Sequence, residues 1–315
     1  PWQAASSLET RILTKLEESS ARLSDVIQLS ITGVKTGANS IFVFETLKAK
    51  VKTAHLRRED TEFELELETN YLVPYLKADS LKRYHVAAGS RVLLYPYQLI
   101  GDETCLVPES ELKKSPKTWR YLLEHKRTLE QRQKGKLRGP NWYGLSFSSS
   151  LRMFSTSKLV TPTLSPRNSF GLDTEGHFFP QGAGGGCGLI PKSEHSPSFL
   201  LGLLNSRLLT FYFQRISSAF QGGWFAYEPR YLNRLPICLV DKTRTPDRTA
   251  HERVVKCVDS MLKLHQQLAA ANSAAQRTVI QRQIDATDQE IDRLVYNLYG
   301  LTVKEIALVE EAANR

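Results

Sequence analysis

The spacing of apolar residues changes along the first hundred residues from a helical pattern to a strand pattern. Apolar residues first recur every fourth position, which is typical of an amphipathic helix, and then alternate with polar ones, which is typical of strands. Glycines interrupt the first alternating stretch and predict a turn there. The predicted elements are a helix through Leu8, Ile12 and Leu16, two strands flanking a turn with Gly33 and Gly37, and further strands at residues 63–68 and 91–97.

The middle of the chain is more mixed. Residues 115–139 have helical spacing with an excess of Lys and Arg over Glu, and Gly135 is predicted to end this helix. The basic face of the helix is either solvated or in contact with phosphate. Residues 140–192 are predicted to form short strands and loops, with residues 182–188 as a flexible glycine turn.

A change of pattern after residue 239 divides the chain into two predicted domains. Two apolar stripes at helical spacing predict an antiparallel helical hairpin, and Thr302 with Glu305 forms a capping box for a short last helix. We therefore expect residues 1–239 to form a mixed-sheet α/β (α+β) domain and residues 240–315 to form a helical C-terminal region. Packing of the hairpin within the chain is favoured over a subunit interface.

The overall charge narrows the class of partner. The chain has 315 residues and a formal net charge of +9. Such a balance attracts polyanions, because each Lys or Arg that neutralises a phosphate releases counterions. A basic protein without a polyanionic partner is the plain alternative. The sequence has neither a signal-peptide pattern nor an apolar run of membrane-spanning length, which predicts a cytoplasmic location, and its start at a proline is compatible with an excised piece of a longer polypeptide.

Sequence motifs for catalysis or metal binding are absent. The seven histidines have no HExxH spacing, the four cysteines form no CxxC pair, and neither a GxSxG nor a GxGxxG motif occurs. The glycine cluster lacks the Lys-Ser or Lys-Thr that completes a phosphate loop. We therefore expect no catalytic residue and no metal site, and we do not expect the chain to be an enzyme on its own.

Residues 200–239 combine groups suited to recognition. An apolar helix pattern leads into a glycine-broken aromatic loop with Gln221 and Trp224, and arginines follow. Arginine matches guanine edges and phosphates, asparagine and glutamine pair with adenine, and aromatic side chains stack on bases or brace loops. The segments KTGANS, YLKADSLKRY and LRGPNWYG carry similar groups. The combination predicts a surface that binds a ligand and does not react with it.

The order of motifs along the chain resembles the target-recognition domain that follows the catalytic domain in TaqI-like N6-adenine DNA methyltransferases and in fused type IIG restriction-modification enzymes. These motifs are ITGVKTGANSIFVF, YLVPYLKADSLKRY, RVLLYPY, KLVTPTL, LLGLLNSRLLTFYF and YEPRYLNRLPI. The resemblance covers nearly the whole chain. The cofactor-binding and Asn-Pro-Pro-Tyr-like motifs of a complete methyltransferase are absent. The most specific pieces are the turn with Gly33, Thr36, Gly37 and Asn39, the segment Leu204-Asn205-Ser206, and the segment Arg234-Leu235-Pro236-Ile237.

The resemblance implies a domain that inserts loops into the major groove of double-stranded DNA while a separate methylase domain flips the adenine. It implies no cofactor in this chain, since S-adenosylmethionine belongs to the methylase domain, which lies in the same or a partner chain and can be joined by a nuclease domain. Lys77 and Arg83 are expected to position phosphates. The residues expected to contact DNA are Thr36, Asn39, Lys77, Lys82, Arg83, Tyr84, Arg138, Asn141, Gln221, Trp224 and Arg230.

Two other classes of function stay open at this point. One is a stand-alone metal-dependent nuclease whose acidic site has no recognisable motif. The other is a structural or assembly subunit of a restriction-modification complex, in which the helical hairpin docks a methylase chain and the basic surface is incidental. The leading interpretation places the protein in the bacterial or archaeal cytoplasm, associated with the nucleoid.

Overall fold

A computed structural model describes residues 7–18, 20–59, 61–87, 89–146, 150–241 and 243–313. This part of the chain consists of helices and short strands paired in antiparallel sheets, with helices at the C-terminus. The expected mixed α/β fold with a helical C-terminal hairpin is therefore confirmed.

The helices differ widely in length, and the two longest lie in the C-terminal region. In chain order they are α1 (Ser7–Glu18), α2 (Leu23–Val26), α3 (Asn39–Phe42), α4 (Glu109–Leu112), α5 (Pro116–Glu124), α6 (Lys126–Gly135), α7 (Pro197–Asn205), α8 (Arg207–Ile216), α9 (Pro229–Leu232), α10 (Thr245–Ala270), α11 (Ala274–Leu298) and α12 (Val303–Ala313).

The strands are short. In chain order they are β1 (Ala21–Arg22), β2 (Ile27–Thr32), β3 (Val43–Ala49), β4 (Thr53–Arg58), β5 (Glu64–Glu68), β6 (Leu72–Pro74), β7 (Leu81–Lys82), β8 (His85–Val86), β9 (Arg91–Leu94), β10 (Tyr97–Ile100), β11 (Glu103–Leu106), β12 (Lys158–Pro162), β13 (Leu164–Ser165), β14 (Gly171–Asp173), β15 (Gly186–Pro191), β16 (Ala219–Phe220), β17 (Trp224–Ala226) and β18 (Pro236–Ile237).

A five-stranded sheet with the order β5-β4-β3-β9-β6 forms most of the first half of the fold. The alternation predicted for β5 is realised, because Leu67 is buried opposite Ala54 of β4. Glu68, at the end of β5, accepts hydrogen bonds from the backbone N–H of Lys117 (3.1 Å) and of Thr118 (2.8 Å). These N–H groups lie in the first turn of α5, so the carboxylate caps that helix and fixes it to the sheet.

A four-stranded sheet with the order β14-β12-β15-β2 lies between two hydrophobic cores. Consecutive residues of β12 point to opposite faces, and Leu159 belongs to one core while Val160 belongs to the other. The first core gathers α1, α7, α8 and the C-terminal helices, and the second gathers the five-stranded sheet with α5 and α6. The sheet is thus buried on both faces.

A buried ion pair joins two strands of this central sheet. Lys158 of β12 and Asp173 of β14 are fully buried, and the Lys158 Nζ atom lies 2.6 Å from the Asp173 Oδ2 atom. Lys158 also donates to the carbonyl oxygen of Phe154 at 2.6 Å, and Asp173 accepts from the Nδ1 atom of His177 at 2.8 Å. Hydrogen bonds therefore saturate both charges, which is what allows them to lie inside the protein.

The C-terminal region forms the predicted hairpin, in which α10 packs along α11. Ser273 caps α11 by accepting from the N–H of Gln276 at 3.2 Å. The predicted capping box is present before α12, since Thr302 N–H donates to Glu305 at 2.7 Å. The first core includes residues from α7 and α8 and from all three C-terminal helices, and the division at residue 239 stays a prediction.

Two predicted elements need correction. The single helix expected over residues 115–139 is split: α5 ends before His125, and Gln133 and Lys134 at the end of α6 have left-handed φ angles of 50° and 58°. The glycine cluster at residues 182–188 is only partly a turn, because its last three residues enter β15. The periodicity of apolar residues predicts neither the split of the helix nor the start of β15 in the glycine cluster, because both depend on contacts with distant segments.

Candidate nucleic-acid interface

The turn between β2 and α3 has a buried interior and an exposed rim. Thr36 is 1% exposed, its hydroxyl donates to the Asn39 Oδ1 atom at 2.5 Å, and it accepts from the Ala38 N–H at 3.1 Å. Lys35 and Asn39 are exposed on either side. The structure thus gives Thr36 a role inside the turn and leaves Asn39 at the surface.

A buried arginine that the sequence analysis did not single out holds this turn in place. Arg132, 7% exposed, donates to four backbone carbonyl oxygens: Thr36 at 2.6 Å, Trp142 at 2.7 Å, Gly144 at 2.8 Å and Leu129 at 2.9 Å. It forms no ion pair with any described carboxylate, and burial lowers the pKa of its guanidinium to about 10. No pattern in the sequence separates Arg132 from the basic residues around it.

A basic loop, residues 133–141, lies beside the turn. The Gln133 amide donates to the Ser146 carbonyl oxygen at 2.7 Å, and the Ser146 hydroxyl donates to the Thr36 carbonyl oxygen at 3.1 Å. Arg138 and Asn141, both predicted to contact DNA, are exposed in this loop. The structure therefore brings together two predicted contact regions that are separated by about a hundred residues in sequence.

A glycine loop, residues 181–185, connects the turn to two other segments. Three backbone hydrogen bonds of 3.0 Å make the connection. The Gln181 N–H donates to the Val34 carbonyl oxygen. The carbonyl oxygens of Gly184 and Gly185 accept from the N–H groups of Ala78 and Thr163, respectively. A Cβ atom on Gly185 would lie 1.6 Å from the Pro180 carbonyl oxygen, so only glycine fits there. The sequence predicts a flexible turn at these glycines, whereas the structure makes them the junction of three segments.

The segment that carries Lys77 and Lys82 borders this loop. Lys77 is half-buried, with its Nζ atom 2.5 Å from the Glu59 Oε2 atom. Lys82 is exposed, and no described carboxylate pairs with it. Of the two lysines predicted to contact DNA, Lys82 is the one whose charge is unpaired within the described chain.

Arg83 and Tyr84 point into the protein. The Arg83 guanidinium donates to the Asn205 carbonyl oxygen at 2.7 Å and lies 2.6 Å from the Asp288 carboxylate, and Tyr84 is 1% exposed. The imidazole of His265 stacks over the ring of Tyr84, and burial lowers the pKa of His265 to about 4. These contacts join the segment to α7, α10 and α11. The expected DNA contact of Arg83 and Tyr84 stays a prediction that their internal placement does not favour.

A β-hairpin formed by β16 and β17 presents the aromatic loop. Phe220 pairs with Trp224, and both are about half exposed. The loop residue Gln221 between them is exposed as well. Arg230 is exposed nearby in sequence, with its Nε atom 2.7 Å from Glu228. The hairpin continues into Tyr227, which is buried and whose N–H donates to the Thr163 carbonyl oxygen at 2.8 Å, so the hairpin is linked to the glycine loop through Thr163.

We call the exposed parts of these segments the recognition surface: residues 35–39, 133–141, 181–185 and 220–224, with Lys82 and Arg167. Its cations are exposed and form no ion pair with any described carboxylate, so they are available to a polyanion. They are Lys35, Lys82, Lys134, Lys136, Arg138 and Arg167. Within the described ranges, no three His, Cys, Asp or Glu side chains are grouped to hold a metal ion.

The family model for the TaqI-like C-terminal specificity domain matches residues 63–237 of this chain. The chain belongs to this family. The match spans β5 to β18 and so includes the basic loop, the glycine loop and the aromatic hairpin. The resemblance inferred from the motifs is confirmed.

Two further proteins are similar to the specificity domain. The type II restriction enzyme and methyltransferase RM.Eco57I of Escherichia coli is 23% identical over 318 residues, which cover 95% of this chain and 32% of the relative. The crystal structure of the type IIG restriction endonuclease BpuSI matches with 13% identity and a TM-score of 0.42, over 93% of this chain and 33% of that one. The chain thus spans about a third of the length of each.

None of the helices in the described ranges combines the length and apolar character that a membrane span requires. The longest, α10, has 26 residues and carries charged residues along its length.

Proposed function

We propose that this specificity domain recognises a particular sequence in double-stranded DNA on behalf of an adenine-N6 methyltransferase or restriction-modification enzyme. The observation that carries the proposal is the recognition surface. In a member of a specificity-domain family, hydrogen bonds through the turn and the glycine loop join the turn at residues 35–39, the basic loop and the segment that carries Lys82, and each of these three presents an unpaired cation. A polyanion with a regular backbone fits such a surface, because its phosphates neutralise the cations and release counterions.

Different side chains on these loops provide affinity for DNA and discrimination between DNA sequences. Lysines and arginines on the surface position the phosphates, whereas the amides of Asn39, Asn141 and Gln221 have the donor and acceptor pair that matches the adenine edge in the major groove. Arg132 and Gly185 keep the loops in place from inside. A scaffold of this kind lowers the conformational entropy lost on binding, which raises affinity without any new contact.

The methyl transfer itself belongs to another part of the enzyme in this proposal. The relative in Escherichia coli is named as a restriction enzyme and methyltransferase, and this chain matches only 32% of its length. A methylase domain, in the same or a partner chain, would hold S-adenosylmethionine and the reacting adenine, and the complex would act on the nucleoid in the cytoplasm. A specificity-domain family match favours this function over a stand-alone nuclease or an assembly subunit.

Selection of bound duplexes from a random-sequence pool tests the proposal. We expect one sequence to be enriched and to bind at least about tenfold more tightly than the starting pool, because groove contacts add discrimination to phosphate contacts. Competition binding at several salt concentrations measures both terms. If no duplex outcompetes the random pool at any salt concentration, sequence recognition is refuted, and cleavage of plasmid DNA that depends on magnesium would point to a nuclease.

Replacing Lys82 by alanine is expected to weaken DNA binding equally for all sequences. The loss of one phosphate contact lowers the slope of log affinity against log salt by about 1 while the preferred sequence stays the same. The matched control is Arg282→Ala on α11, an exposed cation outside the recognition surface. An equal loss of slope in this control would mean that overall charge, and not this surface, binds the DNA.

A further inference from the structure

The pair formed by Phe220 and Trp224 is unusual on this surface. Large aromatic side chains are mostly buried in folded proteins, yet these two are 50% and 45% exposed. They lie directly opposite each other on adjacent strands, which brings their Cβ atoms within contact range of one another. Among the described residues, Phe63 is the other large aromatic residue that is exposed. The pair thus offers an apolar aromatic patch to solvent at the tip of a hairpin.

The hairpin that carries the pair is firmly held. Gly222 and Gly223 have left-handed φ angles of 82° and 76°, which glycine adopts without strain in tight hairpin turns. On its other edge, β17 pairs with β13, and the Ser217 hydroxyl donates to the Ala226 carbonyl oxygen at 2.8 Å. The backbone beneath the two rings is therefore fixed before any ligand arrives.

An unpaired cation lies close to the same end of the sheet. Ser165 of β13 pairs with Phe225 of β17, and the chain then turns at Pro166 and Arg167. The Gln214 amide donates to the Pro166 carbonyl oxygen at 3.1 Å, and the Ser165 hydroxyl donates to the Arg167 carbonyl oxygen at 2.6 Å. Arg167 is exposed, and no described carboxylate pairs with its guanidinium. An aromatic patch beside a free cation matches a nucleotide, which has a flat base and a phosphate.

Resting on the proposed function, we infer that Phe220 and Trp224 bind a nucleobase that has left the helical stack of the DNA. A base within an intact duplex has both faces covered by its neighbours, so an aromatic ring can stack on it only after the step opens. Apolar side chains that enter base steps use this opening to distort the duplex, and the unstacking is least costly at flexible or mispaired positions. The hairpin would therefore select DNA positions where a base step opens easily, and it would not recognise the hydrogen-bond donors and acceptors on the base edges.

Two duplexes of the same sequence test the inference, one fully paired and one with a single unpaired adenine. We expect the full chain to bind the second about tenfold more tightly, because its base is already free to stack and stacking contributes that much. Binding to the second duplex should also quench the fluorescence of Trp224, which is isolated by subtracting the spectrum of Trp224→Phe. The preference should disappear in Trp224→Ala and Phe220→Ala and be partly kept in Trp224→Phe.

Phe63→Ala is the matched control, since it removes an equally exposed aromatic ring directly before β5, and it is expected to keep the preference. Equal affinity for both duplexes without quenching of Trp224 would overturn the inference and leave the proposed function intact. Failure to bind either duplex would overturn the proposed function as well. Loss of the preference in Phe63→Ala would also overturn the inference, because it would show that any exposed aromatic residue has this effect.

Discussion

Replacing Arg132 by methionine is expected to lower the free energy of unfolding by about 3 kcal/mol. The guanidinium donates to four backbone carbonyl oxygens from three segments, and methionine removes all four of these hydrogen bonds, so that the Thr36 carbonyl oxygen keeps only the one from the Ser146 hydroxyl. Arg132→Lys should recover only part of the lost stability. The planar guanidinium directs several N–H donors toward separate acceptors, whereas the compact ammonium group of lysine cannot reach all four carbonyl oxygens. Denaturant unfolding followed by circular dichroism measures the change.

The control for this prediction is Lys134→Met. Lys134 is exposed and lies two residues after Arg132, so this substitution removes the same charge from the surface. It should change the free energy of unfolding by less than about 0.5 kcal/mol, as surface substitutions usually do. A loss in Arg132→Met no larger than the loss in Lys134→Met would show that the four hydrogen bonds do not stabilise the fold. The turn at residues 35–39 would then need another explanation for its position.

Replacing Lys158 by methionine is expected to be the most destabilising single change, at about 3–5 kcal/mol. It leaves the Asp173 carboxylate fully buried without its cation, in a sheet that separates two cores. Lys158→Met with Asp173→Asn should be less destabilising than Lys158→Met alone, because no uncompensated charge remains. A double-mutant cycle by denaturant unfolding measures the coupling between the two residues.

Acid should weaken the wild-type protein through the same pair. Burial alone would raise the pKa of Asp173, but the hydrogen bonds from His177 and Lys158 outweigh it and hold the pKa below its ordinary value of 3.8. A carboxyl with a lowered pKa contributes stability that is present above the ordinary value and lost as the pH falls through the lowered one. The stability of wild type should therefore fall below pH 3.8 more steeply than that of the doubly substituted protein.

The exposed pair of Lys113 and Glu109, with a distance of 3.5 Å, is the control for this prediction. Lys113→Met should cost less than about 1 kcal/mol, because water screens both charges before and after the change. If Lys158→Met is no more destabilising than Lys113→Met, the buried pair does not hold β12 and β14 together.

These buried groups matter for the proposed function because they set where the loops lie. The cations of the recognition surface are exposed, whereas Arg132, Asn205 and Gly185 are enclosed and connect several segments. The Asn205 amide, for example, both donates to and accepts from the backbone of Phe170, at 2.9 and 2.8 Å. Recognition loops are therefore free to differ in sequence as long as these anchors stay in place.

Local patterns in the sequence were sufficient for several elements. The spacing of Ile12 and Leu16 predicted α1, the alternation at residues 63–68 predicted β5, and two apolar stripes predicted the C-terminal hairpin. Such predictions succeed because the period of the apolar residues follows from the geometry of one helix or strand packed against a core. The order of motifs also indicated the family, which the match over residues 63–237 confirms.

Other features depend on contacts between distant segments, which no local pattern contains. The sequence by itself determined α1, β5, the C-terminal hairpin, the basic charge and the family. Only the tertiary structure decided that Arg83 lies inside while Lys82 is exposed, that Arg132 fastens the turn, and that the glycine loop joins three segments. The physical reason is that a side chain's role depends on which carbonyl or carboxylate the fold brings to it, and neighbouring residues of the same charge look alike until then.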